Sequence, residues 1–200
     1  KGALITRSNL FYFVNWIRIT FNKKRENKII SNINPLFFDN SIFDIYSAIP
    51  FGHTLKFYDI DKKDTLNILE EDLYKQNLDQ WFSVPSLLIK LQKISKKRKF
   101  QKKINLEKKC MDKKIIFGGE GYSANLLKEM IEKFYSYNFI NVYGPTECTC
   151  IATANFIKSP DFFVYKGLSS LGKVLNNFNF EIINQDKFGI GELLLKGNFV

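Results

Sequence analysis

The stretch Asn141-Val142-Tyr143-Gly144-Pro145-Thr146-Glu147 sets an aromatic ring, a Gly-Pro turn, a hydroxyl and a carboxylate in immediate succession. Before it, Phe139, Ile140 and Val142 read as the end of a buried strand, and after it Cys148, Thr149, Cys150 and Ile151 resume an apolar run. The polar segment therefore interrupts hydrophobic structure. Polar loops at strand ends are where α/β folds put ligands, and a hydroxyl beside a carboxylate suits a nucleotide phosphate and its metal. One step upstream, Lys114-Ile115-Ile116-Phe117 reads as another strand, Ser123 as a helix N-cap, and Leu127, Met130, Ile131 and Phe134 as a helix face leading back to the strand at 139–142. Both Gly118-Gly119 and the 141–147 segment then fall at the carboxyl ends of strands.

Further out the same alternation continues. Thr54-Leu55-Lys56-Phe57-Tyr58 reads as a strand, Asp64 as the start of a helix with Leu66, Leu69 and Leu73 inward, and Trp81-Phe82-Ser83-Val84 as a strand ahead of Pro85. Alternating strand and helix patterns predict parallel β/α units. From about Asn176 the pattern changes to short strands at 178–183 and 192–196, separated by Gly189 and Gly191. The expectation is an α/β core over 1–175 that enters a β-rich subdomain over 176–200.

The 141–147 segment resembles the core motif of adenylate-forming (AMP-binding) enzymes, and its Gly-Pro-Thr-Glu form resembles the amino-acid adenylation domains of nonribosomal peptide synthetases and D-alanyl carrier-protein ligases. Other motifs follow in family order. Lys1-Gly2 resembles the tail of a Gly/Ser/Thr-rich phosphate loop, Phe38-Asp39-Asn40-Ser41 the substrate-anchoring segment, Gly118-Gly119-Glu120 the adenine-side turn, and Gly191-Glu192-Leu193 a later strand motif. The resemblance spans essentially the whole chain. It implies the layered, parallel-sheet core of the large N-terminal domain of such an enzyme, ATP and Mg2+ as cofactors, and a carrier protein bearing phosphopantetheine as partner. It also implies a fragment that begins just after the phosphate loop and stops before the ribose-binding Asp, the hinge and the C-terminal domain, and that is inactive alone.

Carried onto matching positions, the resemblance makes Thr146 the α-phosphate contact and Glu147 the magnesium ligand, the pair on which catalysis depends. Tyr143 would pack on adenine and Asn141 would bond its exocyclic amine, with Gly118, Gly119, Glu120 and Gly144 completing the nucleotide site. For Glu147 the plainer reading is a loop carboxylate capping a helix. For the Gly-Gly pair it is an ordinary turn, although a missing Cβ also lets backbone approach a planar ligand.

Asp39 decides the substrate class. The apolar run Pro35-Leu36-Phe37-Phe38 is read as a strand delivering a carboxylate that needs a partner, and a substrate ammonium supplies one. In amino-acid-activating relatives the matching Asp pairs with the α-amino group, whereas acyl- and aryl-CoA ligases typically carry Pro-Leu-Phe-His there; this chain has Phe38 where that His would fall. The competing reading makes Asp39 a helix N-cap. A side-chain pocket would be lined by Asn40, Phe43, Ser83, Ile116, Gly118, Val142, Cys150 and Ile151, small or apolar residues suited to a modest neutral side chain, though Ile116 and Ile151 read equally well as core.

Composition excludes other classes. At 45% hydrophobic and 25% charged the chain is an ordinary globular one, with no apolar run long enough for a membrane span and no signal-peptide layout. Cys110, Cys148 and Cys150 form no C-x-x-C pair, which argues against a zinc site or disulfide framework and for reduced, cytoplasmic thiols. The net charge of +10 comes partly from Lys93, Lys96, Lys97, Arg98, Lys99, Lys102 and Lys103. With Phe100 as its one interleaved aromatic, that run reads as a solvated helix or loop, not a nucleic-acid patch. His53 is the only histidine and no Gly-x-Ser-x-Gly elbow is present, so a Ser-His-Asp hydrolase is hard to build. Arg7 stands where relatives often carry His. The reading is amino-acid adenylation, with an acyl- or aryl-CoA ligase, or a non-catalytic nucleotide-binding module of the same fold, as alternatives.

Overall fold

A computed structural model describes residues 2–22, 27–97, 112–157, 164–176, 178–197 and 200. Most of the Lys-rich run, together with Lys1, Phe100 and Cys110, lies outside them. Helix α1 (Arg7–Phe21) is followed by β1 (Ile29–Asn32), α2 (Asn40–Ala48) and β2 (Thr54–Phe57). Then come α3 (Thr65–Tyr74), β3 (Gln80–Ser83), α4 (Pro85–Lys97), β4 (Lys114–Gly118), α5 (Ala124–Lys133) and β5 (Asn138–Tyr143). The chain closes with β6 (Thr153–Ile157), the short β7 (Val164–Tyr165), β8 (Leu168–Ser169) and β9 (Lys173–Val174), and finally β10 (Phe178–Ile183) and β11 (Glu192–Gly197).

The main sheet has the order β2-β1-β3-β4-β5-β6-β9. Strands β1 to β5 pair in parallel, as the alternating pattern predicts, but β6 pairs antiparallel with β5, and β9 antiparallel with β6. The apolar run after the 141–147 segment is thus not another β/α crossover: residues 144–152 fold back and β6 returns alongside β5. Among the described residues β7 pairs with β8 alone, and β10 and β11 form a separate antiparallel ribbon.

Period-two alternation sorts the central strands onto two cores, as a sheet covered on both faces requires. Trp81, Ile115, Phe117 and Phe139 pack with Leu69 and Leu73 of α3, Leu88 and Leu91 of α4, and Leu127 and Met130 of α5. Phe82, Ile116, Ile140 and Val142 face the other way, onto Phe13, Ile17 and Phe21 of α1 and Phe43 of α2. An ion pair fastens the first layer, Lys133 Nζ meeting the fully buried Glu70 at 2.9 Å. Helix α1 opens with a reciprocal capping box, in which the Asn9 amide donates to the Thr6 hydroxyl and the Thr6 amide donates to Asn9 Oδ1. Asp64 and Ser123 occupy N-cap positions without a side-chain capping bond.

One expected element is absent. Pro35-Leu36-Phe37-Phe38 is not a strand but an exposed turn, closed by the Phe38 amide donating to the Pro35 carbonyl, with Phe37 82% exposed. Proline at the head of the run and the lack of alternation leave it no sheet face to bury.

Candidate functional site

The topology creates a crevice. From β1 the chain goes outward to β2 on one side and through β3, β4 and β5 on the other, so the strand order reverses between β1 and β3. Loops leaving the carboxyl ends of strands that flank such a point diverge and leave room for a ligand. A cavity of about 470 Å³ opens there, lined from the loop after β1 by Phe38, Asp39 and Asn40, from β3 by Phe82 and Val84, from β4 by Gly118, Gly119 and Glu120, and from β5 and its loop by Val142, Gly144, Pro145 and Thr146, with Cys150 beyond. Residues far apart in sequence that were expected to bind nucleotide and substrate are here brought together.

Local geometry explains how. The Ser41 hydroxyl and amide both donate to the Phe38 carbonyl, at 2.8 and 3.1 Å, which sets Asp39 at the entrance of α2. Asp39 occupies the N-cap position, yet its backbone is already helical and its side chain caps nothing. Its carboxylate instead accepts a hydrogen bond of 2.7 Å from Thr146 Oγ1. On the opposite wall, a Cβ on Gly118 would lie 2.3 Å from the Val142 carbonyl oxygen, and one on Gly144 would lie 2.4 Å from the Cys150 carbonyl oxygen. Both contacts are with backbone, so only glycine permits β4 to approach β5 and the loop to fold onto 150–152. Thr146–Cys148 forms a single 3-10 turn, followed by Thr149 and Cys150 with φ of +57° and +76°. A β-branched residue in that region is strained, and such strain concentrates at ligand sites.

A second cavity, about 340 Å³ and almost wholly apolar, adjoins the first. Asp39, Thr146 and Cys150 belong to both walls, and Ile5, Arg7, Ile42 and Tyr46 are among the others that line the second. Among the described residues Arg7 is its one basic lining residue.

Other expected residues lie elsewhere. Phe43, Ser83 and Ile116 are 0% exposed and Ile151 1%, none of them lining either cavity. Phe43 sits at the centre of an aromatic cluster with Phe13, Trp16, Phe21 and Phe82. Glu120 lines the larger cavity, but its two oxygens accept from the Ser86 amide and hydroxyl, capping α4. Tyr143 is exposed at the end of β5, and Asn141, on the same face of that strand, is 6% exposed with its amide nitrogen donating to the Ser170 carbonyl at 2.9 Å. Glu147 stands exposed beside Thr146. Burial, with Asp39 and Asp44 nearby, holds the Cys150 thiol well above its ordinary pKa, so it is a neutral wall and not a nucleophile. Sequence reasoning missed Phe82, Val84, Pro145 and Ser170; Phe82 and Val84 flank the Ser83 position that was chosen, and strand alternation turns Phe82 to the α1/α2 side.

The fold and crevice define an α/β protein with an open cavity at the carboxyl edge of its parallel strands. The chain belongs to the AMP-binding enzyme family, whose model matches residues 1–200. It is 30% identical over 201 residues to the D-alanine--D-alanyl carrier protein ligase of Listeria monocytogenes serovar 1/2a, covering 98% of this chain and 36% of that protein. The chain thus spans little more than a third of that relative's length. Among solved structures it resembles IdnL7, with a TM-score of 0.79 at 21% identity over 100% of this chain and 39% of the other. It also resembles the Vibrio cholerae adenylation domain AlmE, solved with glycyl-adenosine-5'-phosphate, with a TM-score of 0.72 at 21% identity over 99% of this chain and 37% of the other. Among the described residues no helix is long and apolar enough to cross a membrane.

Proposed function

We propose that the protein activates an amino acid: ATP and the amino-acid carboxylate give aminoacyl-AMP and pyrophosphate, and the aminoacyl group passes to the phosphopantetheine thiol of a carrier protein. The observation that carries this reading is the 2.7 Å contact between Asp39 and Thr146. An α-amino acid bears its ammonium and carboxylate on one carbon, so an anchor for the first must lie next to the groups that handle the second. A carboxylate adjoining a phosphate-binding hydroxyl has that arrangement.

The residues present suit ATP and Mg2+. Glu147 and Thr146 are exposed oxygen donors side by side, and a single carboxylate complemented by phosphate oxygens and water is a common way to hold Mg2+. Bound there, ATP and the metal supply the electrophilic α-phosphorus and the neutralising charge. Thr146 donates to the α-phosphate, Asp39 holds the substrate amine, and the Gly118, Gly119 and Gly144 backbone admits the nucleotide. Tyr143 covers the base and Asn141 reads its edge. Asn40, Val142 and Cys150 bound the substrate side chain. A modest neutral side chain fits, and the name of the Listeria relative makes D-alanine the first candidate.

ATP–pyrophosphate exchange by the intact protein, over a panel of amino acids and simple carboxylic acids, tests the proposal. Exchange with a small neutral amino acid, abolished by Glu147→Gln, supports it. Exchange only with acids lacking an amine moves the protein to the acyl ligases, and ATP binding without any exchange leaves a non-catalytic nucleotide-binding module.

A further inference from the structure

Asn141 of β5 and Asn155 of β6 are register partners across the antiparallel ladder, and both commit their amide nitrogens to one acceptor, the Ser170 carbonyl oxygen, at 2.9 and 3.1 Å. A carbonyl oxygen only accepts, so each carboxamide is forced to turn its nitrogen toward residue 170 and its oxygen away. Rotating Asn141 by half a turn would set its Oδ1 against the Ser170 carbonyl oxygen, two acceptors facing one another, and give up the hydrogen bond that its nitrogen makes there. The carbonyl is itself held. Thr153 Oγ1 donates to the Leu171 carbonyl at 2.8 Å and the Gly172 amide to Ser170 Oγ at 3.1 Å. Gly172, at φ +81°, lies so close to β6 that a Cβ there would stand 2.3 Å from the Ala154 carbonyl oxygen. Residues 170–172 thus form a strap laced across β6, and Asn155 supplies its second tie to the carbonyl that Asn141 uses. No hydrogen bond among the described residues takes Asn141 Oδ1.

We propose that Asn155, through the Ser170 carbonyl, is a positioning residue that presents Asn141 Oδ1 to the nucleotide as a fixed acceptor. Such an acceptor selects a purine whose six-position carries an amine over one that carries a carbonyl there. This rests on the reading above in which Asn141 meets the base; Asn155 itself touches neither nucleotide nor substrate. A site built to bond one group rejects an analogue that places an acceptor against it.

The test uses the intact protein in pyrophosphate exchange, with ATP and ITP compared as nucleotides. Asn141→Ala is the control for the underlying reading: if it leaves both KM for ATP and the ATP-to-ITP preference unchanged, the base contact fails and the inference falls with it. With that contact established, Asn155→Asp, which sets an acceptor against the Ser170 carbonyl, is expected to raise KM for ATP about tenfold and cut the ATP-to-ITP preference by a similar factor, with KM for the amino acid unchanged. Asn155→Ser, smaller and still able to donate, serves if the Asp variant does not fold and is expected to lose preference by a lesser factor. A purely structural role would lower activity with both nucleotides alike and leave their ratio intact, and that result overturns the proposal.

Discussion

Thr146 Oγ1 donates a 2.7 Å hydrogen bond to Asp39 Oδ2, joining the loop after β5 to the entrance of α2. Each satisfies the other. On the proposed reading, a substrate ammonium at Asp39 would give that carboxylate a partner of full opposite charge and would free the threonine hydroxyl to turn to phosphate.

Thr146→Val keeps the shape and removes the donor. The amino acid is expected to bind as well as before or better, because Asp39 no longer has a competing partner. The exchange rate is expected to fall by about 10²-fold or more, the usual cost of losing one donor to a developing oxyanion. Isothermal titration separates the first effect from steady-state exchange, and an unchanged rate contradicts the phosphate role.

Gly144→Ala is expected to destabilise the fold before it affects chemistry. Its Cβ would lie 2.4 Å from the Cys150 carbonyl oxygen and 2.7 Å from the Ile151 Cα, both backbone atoms that cannot rotate aside. Overpacking of this kind costs roughly 1–3 kcal/mol, readable in a denaturant titration. Wild-type stability in this variant would contradict the close packing of the loop.

Phe43→Ala separates core from pocket. The side chain is fully buried among four aromatic neighbours, so the loss is expected to be about 3–5 kcal/mol of stability. A shift in amino-acid preference with full stability would instead place Phe43 at the substrate.

Asp44 carries a pH prediction. It is wholly buried, Oδ2 accepting from Asn34 at 2.9 Å and Asn32 at 3.2 Å while Oδ1 has no partner among the described residues. Burial lifts its carboxyl well above the ordinary range, and the two asparagine bonds oppose that only in part. The folded protein therefore keeps this proton to higher pH than the unfolded chain. Its stabilising contribution is full below the unfolded carboxyl's value and is lost as pH rises through the folded one. Asp44→Asn offers an oxygen to the same two donors and carries no titrating charge. Unfolding between about pH 4 and about pH 8 is expected to show the variant gaining on wild type as pH rises, and parallel curves would refute the assignment.

How far these features could be read from the residues depended on the kind of signal. The strands at 114–117 and 139–142 were legible because apolar residues fill both faces of a covered parallel strand, and the helix between them because Leu127, Met130 and Phe134 recur at helical spacing. Pro35-Leu36-Phe37-Phe38 misled because hydrophobicity without alternation does not specify a strand. The direction of β6 was illegible, since whether a loop crosses over or folds back depends on close contacts such as Gly144 against Cys150. Asp39 and Thr146 were each visible singly, but not their contact, which is a tertiary event. Phe43 and Ile116 show the limit of outward alignment: a residue next to a ligand wall and one inside the core look the same in a list of apolar positions. Asn155 carried no signal beyond being polar in an apolar strand.

The central claim is that Asp39 recognises a substrate amine beside the group that handles its carboxylate. The most direct measurement is pyrophosphate exchange with alanine and with propionate, in the intact wild type and in Asp39→Ala. The account predicts strong preference for the amino acid in the wild type and its collapse by roughly 30-fold or more in the variant, the loss of a charge-assisted pair worth about 2 kcal/mol or more. Equal use of both acids by the wild type, or an undiminished preference in Asp39→Ala, would contradict it.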